Sequence, residues 1–168
     1  MSVQPTVLPS AQPPTAQQVA EATRDAMLVG DRATQSLGMQ VLLIGPGAAT
    51  LNMLVRADML NGLGSCHGGL ISALADSAFA FACNSYNEVT VASGFDINLL
   101  AAARRGDVLT ATATEQHKAG RTGVYDVAVH NQNGTAVAVF RGRSYTLKGQ
   151  AVVPGLPVGK ASSQPPER

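Results

Sequence analysis

The sequence predicts an α+β fold in which an antiparallel sheet wraps around one long central helix, with a further helix at the N-terminus. Apolar residues recur at helical spacing from Gly68 to Asn84, which indicates one long buried helix. The segments after it are rich in strand-forming residues, and Asn133-Gly134 marks a hairpin between two of them. Sequential strands that follow one helix favour antiparallel pairing in an α+β architecture.

The composition indicates one domain with a core of small side chains. The chain has 168 residues, of which 45% are hydrophobic, and this is enough apolar material for a core. Aromatic residues make up only 4%, and Trp is absent. Backbones should therefore pack closely.

The same composition argues against several classes of protein. A formal net charge of +1 argues against a basic nucleic-acid-binding face. Cys66 and Cys83 are too few for a disulfide scaffold and are expected to be buried thiols in a reducing compartment. The chain lacks the pattern of a secretory signal, and its apolar runs are too short to span a bilayer. We expect a soluble cytoplasmic protein without nucleic-acid or membrane partners.

The chain is expected to fold between residues 16 and 149. Residues 1–15 are rich in Pro, Gln, Ser and Thr, and residues 150–168 are rich in Pro, Gly and Ser. Both segments are predicted to be disordered tails.

Helix and strand signals follow one another along the folded part. A capping pattern at Thr15 precedes a predicted helix, and a Gly-Pro-Gly turn separates the first two predicted strands. Asp107 to His117 alternates cleanly, with Leu109, Ala111 and Ala113 on one side. The predicted elements are a helix over Gln17–Ala33, strands over Met39–Ile44 and Ala49–Arg56, the helix Gly68–Asn84, and strand-rich segments over Val89–Leu99, Asp107–His117, Val124–His130 and Ala136–Thr146.

One motif carries most of the functional information. His67, Gly68 and Gly69 run directly into the apolar helix. The first amides of a helix lack intrahelical partners and carry a partial positive charge, so the glycines are predicted to offer N–H donors to an oxygen atom. Such a donor can stabilise the oxyanion that forms when a carbonyl is attacked.

Asp76 is the only acid in the predicted helix. A carboxylate can act as a nucleophile or activate water. It lies eight residues beyond Gly68, about 12 Å along a helix, too far for both to act on one carbonyl. The pattern therefore predicts two antiparallel copies of the helix at a two-fold interface, and an obligate homo-oligomer.

An ordered set of motifs over roughly residues 20–148 resembles the hotdog-fold acyl-CoA thioesterases, closest to the phenylacetic acid degradation (PaaI-type) branch. Each motif alone is weak, but the ordered set is specific. The motifs are Asn61-Gly62-x-x-Ser65-Cys66-His67-Gly68-Gly69, Ala75-Asp76, Ala82-Cys83-Asn84-Ser85, Gly106-Asp107-x-Leu109-Thr110-Ala111-Thr112-Ala113, Thr122-Gly123-Val124-Tyr125-Asp126 and Phe140-Arg141-Gly142.

The resemblance implies a role for each catalytic residue. Asp76 corresponds to the family's catalytic aspartate, Gly68 to its carbonyl-polarising amide, and Asn61 to an asparagine that positions water or the carboxylate. His67 and Gly69 would shape the turn, and Ser93 lies at or beside a water-binding hydroxyl position. The family needs no metal or other cofactor and forms a dimer of dimers.

The resemblance also implies a coenzyme A site between subunits. The segment Lys118-Ala119-Gly120-Arg121-Thr122 follows a strand and offers donors suited to phosphates. Arg141 and Arg143 are further candidates. Lining of the acyl pocket is expected from Asn61, Leu63, the helix around Ala75 and Phe79, and residues around Ser93.

The function expected from these features is hydrolysis of an aromatic acyl-CoA thioester, such as phenylacetyl-CoA or hydroxyphenylacetyl-CoA. Two alternatives remain at this stage: a non-catalytic acyl-CoA-binding module on the same fold, and a hydroxyacyl-thioester dehydratase that uses His67. Each site residue also has a structural alternative. Asp76 could be a capped or salt-bridged acid, and Asn61 an ordinary turn residue.

Overall fold

The computed structural model describes residues 12–160 and contains three α-helices and one six-stranded sheet in that range. No helix in this range is both long and apolar enough to cross a membrane. The elements in chain order are α1 (Ala16–Gly30), α2 (Arg32–Ser36), β1 (Gln40–Gly45), β2 (Ala48–Leu54), a 3₁₀ turn (Ala57–Met59), α3 (Gly68–Asn84), β3 (Thr90–Leu99), β4 (Val108–Ala119), β5 (Thr122–His130) and β6 (Ala136–Thr146).

The sheet is antiparallel throughout and wraps around α3. Its strand order is β1-β2-β4-β5-β6-β3, so the strand that directly follows the helix lies at one edge. The helix α3 contacts all six strands. This is the hotdog architecture that the motifs predicted, with α1 added against β1.

The core lies between α3 and the inner face of the sheet. Leu109, Ala111 and Ala113 on β4 are fully buried, which confirms the alternation predicted from the sequence. Phe79 on α3 lies at the centre, with its ring 5.5 Å from that of Tyr125 and 5.9 Å from that of Phe140. Opposite it stands Gly142, where a Cβ would come within 2.8 Å of the Phe79 ring. The small residues therefore let the helix approach the sheet closely.

The predicted N-terminal helix is interrupted. The capping box of Thr15 and Gln18 begins α1 as expected, but the helix ends at Gly30 rather than continuing to Ala33. Asp31 leaves helical geometry and accepts a hydrogen bond from the Thr34 amide, so it begins α2 as a separate helix.

The segment 150–160 differs from the disordered tail predicted there. Asn87, on the turn before β3, donates to the carbonyls of Val153, Leu156 and Pro157 and accepts from the Val153 amide. Lys160 forms an ion pair with Glu115. These tertiary contacts, rather than local propensity, order the segment. Residues 1–11 and 161–168 of the predicted tails lie outside the described residues.

Candidate active site

His67 determines how α3 begins. Its Nδ1 accepts a hydrogen bond from the Gly69 amide at 3.1 Å, so the side chain caps the helix. Its own amide donates to the Met59 carbonyl at 2.8 Å, which ties the turn to the preceding loop. The structure thus gives His67 the turn-shaping role that the resemblance implied, and engages Nδ1 in that role.

The Gly68 amide differs from its neighbour. Gly69 already donates to His67, so it is not the bare donor that the sequence suggested. Within residues 12–160, no acceptor lies within hydrogen-bonding distance of the Gly68 N–H. Because the group is the first amide of a 17-residue helix, it carries the positive end of the helix dipole.

A cavity of about 280 Å³ adjoins this amide. Asn61 and Gly68 both line it, so the structure brings two predicted catalytic residues together. Asn61 Oδ1 accepts from the amides of Leu63 and Ser65, and Nδ2 donates to Ser65 Oγ at 3.1 Å. The asparagine side chain therefore also holds the loop that borders the cavity.

The opposite wall of the cavity is apolar and was not predicted from the sequence. It consists of Ile71 and the segment 99–103, which follows the edge strand. Leu63, expected in the pocket, is 89% exposed, and Ala75 and Phe79 are buried in the core against the sheet. Within one chain, none of these three side chains lines the cavity at Gly68, because α3 turns Ala75 and Phe79 toward the sheet and Leu63 lies exposed on its loop. Their place in a pocket formed by two chains stays a prediction. No local pattern marks segment 99–103 as a wall, since its role depends on where β3 ends.

Asp76 is half-buried and stands alone. No hydrogen bond or ion pair to it occurs within the described part of the chain. Burial raises its pKa above the ordinary value, because nearby protein removes water without supplying a partner. An unpaired carboxylate at such a position costs stability and is typical of a functional group. It does not line the cavity at Gly68.

Ser93 lies in a β-bulge on β3, between Ala92 and Gly94. It is exposed, and its Oγ donates to the Arg143 carbonyl at 3.1 Å. The bulge turns this hydroxyl out of the regular alternation of the strand.

The predicted phosphate-binding residues lie in two different environments. Lys118 is turned inward and pairs with Glu88, with only 8% of its side chain exposed, rather than lying on the surface. Arg121, in the turn between β4 and β5 with Gly120 and Thr122, lies over the Tyr145 ring at 4.4 Å. Its Nε donates to the Thr146 carbonyl at 3.0 Å. Gly120, Arg121 and Thr122 are all exposed.

Arg141 and Arg143 lie on the outer face of the sheet and are paired with acids. Arg141 forms a bidentate pair with Asp126 at 2.6 and 2.7 Å, and Arg143 contacts Asp96 at 2.7 Å. Both arginines keep about half of their side-chain surface exposed. Neither lines the cavity at Gly68.

Among residues 12–160, no group of three or more His, Cys, Asp or Glu side chains is arranged to hold a metal ion. Cys66 and Cys83 are both buried free thiols, and burial raises the pKa of each.

Comparisons with known proteins agree with this geometry. Residues 63–138 match the profile of the Thioesterase superfamily. Acyl-coenzyme A thioesterase PaaI of Escherichia coli is 45% identical over 124 residues, which are 74% of this chain and 89% of that protein. The solved structure of E. coli PaaI, from the phenylacetic acid degradation operon, has a TM-score of 0.80 at 42% identity and covers 81% of this chain and 99% of its own.

A hypothetical thioesterase protein from Streptococcus pneumoniae, solved with coenzyme A, is more distant. It is 27% identical, with a TM-score of 0.64, over 67% of this chain and 90% of that one. The sequence relationship to PaaI extends over nearly the whole of that enzyme and includes the segment that holds Gly68 and Asp76. The chain therefore belongs to the PaaI-type acyl-CoA thioesterases of the hotdog fold, which are thioester hydrolases.

Proposed function

We propose that this thioesterase hydrolyses aromatic acyl-CoA thioesters, such as phenylacetyl-CoA or hydroxyphenylacetyl-CoA, at a site shared by two copies of the chain. The observation that carries the proposal is the pair of unpartnered groups on α3. Among residues 12–160, neither the Gly68 amide at the start of the helix nor the half-buried Asp76 carboxylate in its middle has a hydrogen-bond partner. The aromatic substrate is favoured by the E. coli relative, whose structure is described as coming from the phenylacetic acid degradation operon.

A second copy is needed because of distance. Eight residues of helix separate Gly68 from Asp76 by about 12 Å, so one chain cannot place both on the same carbonyl. Ser72, Ala73, Asp76 and Ala80 form a half-buried face of small residues, which suits close approach of a second α3. In an antiparallel pair, Gly68 of one copy faces Asp76 of the other.

The edge strand supports the same assembly. Within the described residues, β3 pairs only with β6, so its other edge offers free backbone groups. Val91, Phe95 and Leu99 on this strand are exposed. An apolar, unpaired edge is a template for pairing with another copy. We propose a dimer built there, and a dimer of dimers as the complete assembly.

In the proposed reaction the thioester carbonyl binds at the Gly68 amide. Negative charge that develops on the carbonyl oxygen during attack is stabilised by that N–H and by the helix dipole. The carbon–sulfur bond then breaks and coenzyme A leaves as a thiolate.

Asp76 of the second copy acts on the thioester carbonyl by one of two routes, as a nucleophile or as a general base. As a nucleophile it forms a mixed anhydride, which water cleaves to the acid while regenerating the carboxylate. As a general base it takes a proton from water, whose oxygen attacks the carbonyl directly. Its raised pKa makes it a stronger base than an exposed aspartate. Incorporation of ¹⁸O into Asp76 during a single turnover distinguishes the two routes.

For the coenzyme A phosphates we propose the exposed turn of Gly120, Arg121 and Thr122. Arg121 uses Nε to hold the Thr146 carbonyl, and this orients its remaining guanidinium donors. Arg141 and Arg143 are weaker candidates because they are already paired with Asp126 and Asp96. Lys118 is weaker still because its side chain is almost covered and is paired with Glu88.

The test of this proposal is Asp76→Asn, assayed by thiol release from phenylacetyl-CoA and from short- and long-chain esters. We expect the variant to lose at least about a hundredfold in kcat, because it removes the attacking group while preserving shape. Asp25→Asn, an exposed acid beside Arg24, is the matched control and should keep full activity.

Two results would contradict parts of the proposal. Full activity of Asp76→Asn would remove Asp76 from the mechanism. If the wild type prefers aliphatic esters over phenylacetyl-CoA, the proposed hydrolase activity stands but the proposed aromatic substrate is rejected.

A further inference from the structure

Leu99 makes an unusually close approach to the start of α3. A Cβ placed on Gly68 would lie 2.6 Å from Leu99 Cδ1, well inside van der Waals contact. Apart from its chain neighbours and the backbone of α3, that Cβ would meet only one further atom of residues 12–160 within 4 Å, which is Leu99 Cγ. The leucine side chain therefore covers the side of Gly68 where any other residue would carry its own side chain.

The backbone on both sides of this contact is held in place. The amide of Leu100 donates to the Val137 carbonyl at 2.8 Å, which anchors the end of β3 to the start of β6. The amide of Cys66 donates to the Ala103 carbonyl at 2.8 Å, which ties the same segment to the turn before α3. Leu99 is thus presented to Gly68 from a fixed backbone.

We propose that Leu99 is a positioning residue for the Gly68 amide, acting as an apolar cover beside the carbonyl-binding N–H. This inference rests on the proposed function, because it assigns Leu99 a part in the same reaction. Leu99 also lines the cavity that Gly68 and Asn61 share, so it stands at the side of the space where the carbonyl would lie.

The physical basis is exclusion of water. A hydrogen bond from an amide to a developing oxyanion is stronger where the surrounding medium is apolar. Leu99 is 53% exposed, so its contact with Gly68 comes from its inner half while its outer half faces solvent or a second copy. Truncation of Leu99 should let water reach the Gly68 amide and weaken its hydrogen bond to the oxyanion. This should destabilise the transition state more than it weakens substrate binding.

The contact also gives a reason for glycine at position 68. Alanine there would displace the Leu99 side chain, since the leucine terminus is the only flexible part of the contact. Gly68→Ala and Leu99→Ala should therefore damage one and the same interaction, and their effects should not multiply.

The experiment is a double-mutant cycle of Gly68→Ala, Leu99→Ala and the double variant, with thiol release from the best ester of the wild-type protein. Leu54→Ala is the matched control, because Leu54 is a leucine of similar exposure, 51%, at the end of β2 and away from the cavity. Each protein is measured for kcat, KM and melting temperature.

We expect each single variant to lose roughly tenfold in kcat with KM little changed, and the double variant to lose no more than the worse single one. Leu54→Ala should match the wild type in kcat. Because Leu99 also lies on the strand edge proposed for dimer pairing, Leu99→Ala should in addition keep the oligomeric mass of the wild type by light scattering. A purely structural role for Leu99 predicts a lower melting temperature and no selective loss of kcat.

Other outcomes overturn the inference. If Leu99→Ala keeps the kcat of Leu54→Ala, or if the two losses multiply in the double variant, Leu99 does not act through the Gly68 amide while the proposed hydrolysis stands. If the wild type releases no thiol from any ester, the proposed function fails and the inference fails with it.

Discussion

Asp76 is an ionisable side chain whose burial without a partner affects the stability of the fold. It is half-buried, has no partner in the described residues, and burial raises its pKa. A raised pKa means that folding favours the protonated form. The carboxyl group therefore contributes most to stability below its unfolded pKa, and that contribution is lost as the pH rises through the folded pKa. At neutral pH the ionised group opposes folding.

We predict that Asp76→Asn raises the melting temperature at pH 7 while it abolishes activity, because the amide keeps the shape and removes the charge. The difference in melting temperature between Asp76→Asn and the wild type should become smaller as the pH falls through the raised pKa of Asp76. It should vanish below the ordinary pKa of 3.8. Differential scanning fluorimetry across that pH range measures it.

Asp25→Asn, the exposed acid beside Arg24, should show no such rise and serves as the reference. A lower melting temperature for Asp76→Asn at pH 7 would mean that the carboxylate has a stabilising partner in the assembled protein, contrary to this prediction.

Lys118 illustrates why some residues could not be placed from the sequence. Simple alternation along β4 puts it on the outer face with Thr112 and Thr114, where it would be free to bind phosphate. A bulge between Glu115 and His117 shifts the register by one residue, so Lys118 points inward to Glu88. Nothing in the local sequence marks that bulge, whereas the spacing of Gly68 and Asp76 is set by one helix, and Asn61 lies in the loop that leads to its cap.

At the scale of elements, the predicted bounds are correct where the local sequence signals indicate one and the same structure. The helix Gly68–Asn84 and the strand Ala136–Thr146 have the predicted bounds, because helical spacing defines the first and an Asn-Gly turn begins the second. Prediction failed at segment 150–160, where Pro and Gly suggest disorder. Its order comes from Asn87, a residue 66 positions away from its partner Val153, and no local pattern reports such a contact.

Asn87 makes most of the side-chain hydrogen bonds that hold that segment. It is fully buried and has a positive φ of 58°, a conformation that asparagine tolerates better than most residues. Its side chain makes four hydrogen bonds to the backbone of residues 153–157. Truncation of Asn87 would leave the backbone carbonyls and the amide to which it hydrogen-bonds without these partners.

We predict that Asn87→Ala lowers the free energy of unfolding by about 2–4 kcal/mol, the sum of lost buried hydrogen bonds and backbone strain. Asn87→Gly separates the two contributions, since it removes the bonds but relieves the strain, and should lose less. Urea denaturation at one fixed protein concentration measures both variants. Equal stability of Asn87→Ala and wild type would show that the hydrogen bonds of Asn87 to residues 153–157 contribute nothing to the stability of the fold.

At the scale of the whole molecule, the proposed site exists only where two chains meet. Each two-fold pair contains two sites, and each site takes its amide from one chain and its carboxylate from the other. A chain without the Gly68 amide and a chain without the Asp76 carboxylate are each inactive alone. Together they can form one intact site, made from the undamaged half of each.

We predict this rescue for Gly68→Pro mixed with Asp76→Asn. Proline suits the first position of a helix, and His67 already has the extended conformation that precedes proline, so α3 should still begin there. Gly68→Pro removes the N–H, and its Cβ also displaces the Leu99 side chain, so both changes inactivate the amide half of the site. The two variants, refolded together in equal amounts, should recover about one quarter of the wild-type thiol-release rate, because half of the pairs are mixed and each holds one working site of two.

The control is the same refolding of each variant by itself, which should stay inactive and show the same oligomeric mass by light scattering. A double variant with both changes on one chain, refolded with the wild type, distinguishes the geometry further. Its mixed pairs hold one site with both groups intact if each site draws on a single chain, but none if every site draws on two. A mixture of the single variants that remains inactive while forming mixed pairs would place Gly68 and Asp76 in separate sites and remove the shared-site mechanism.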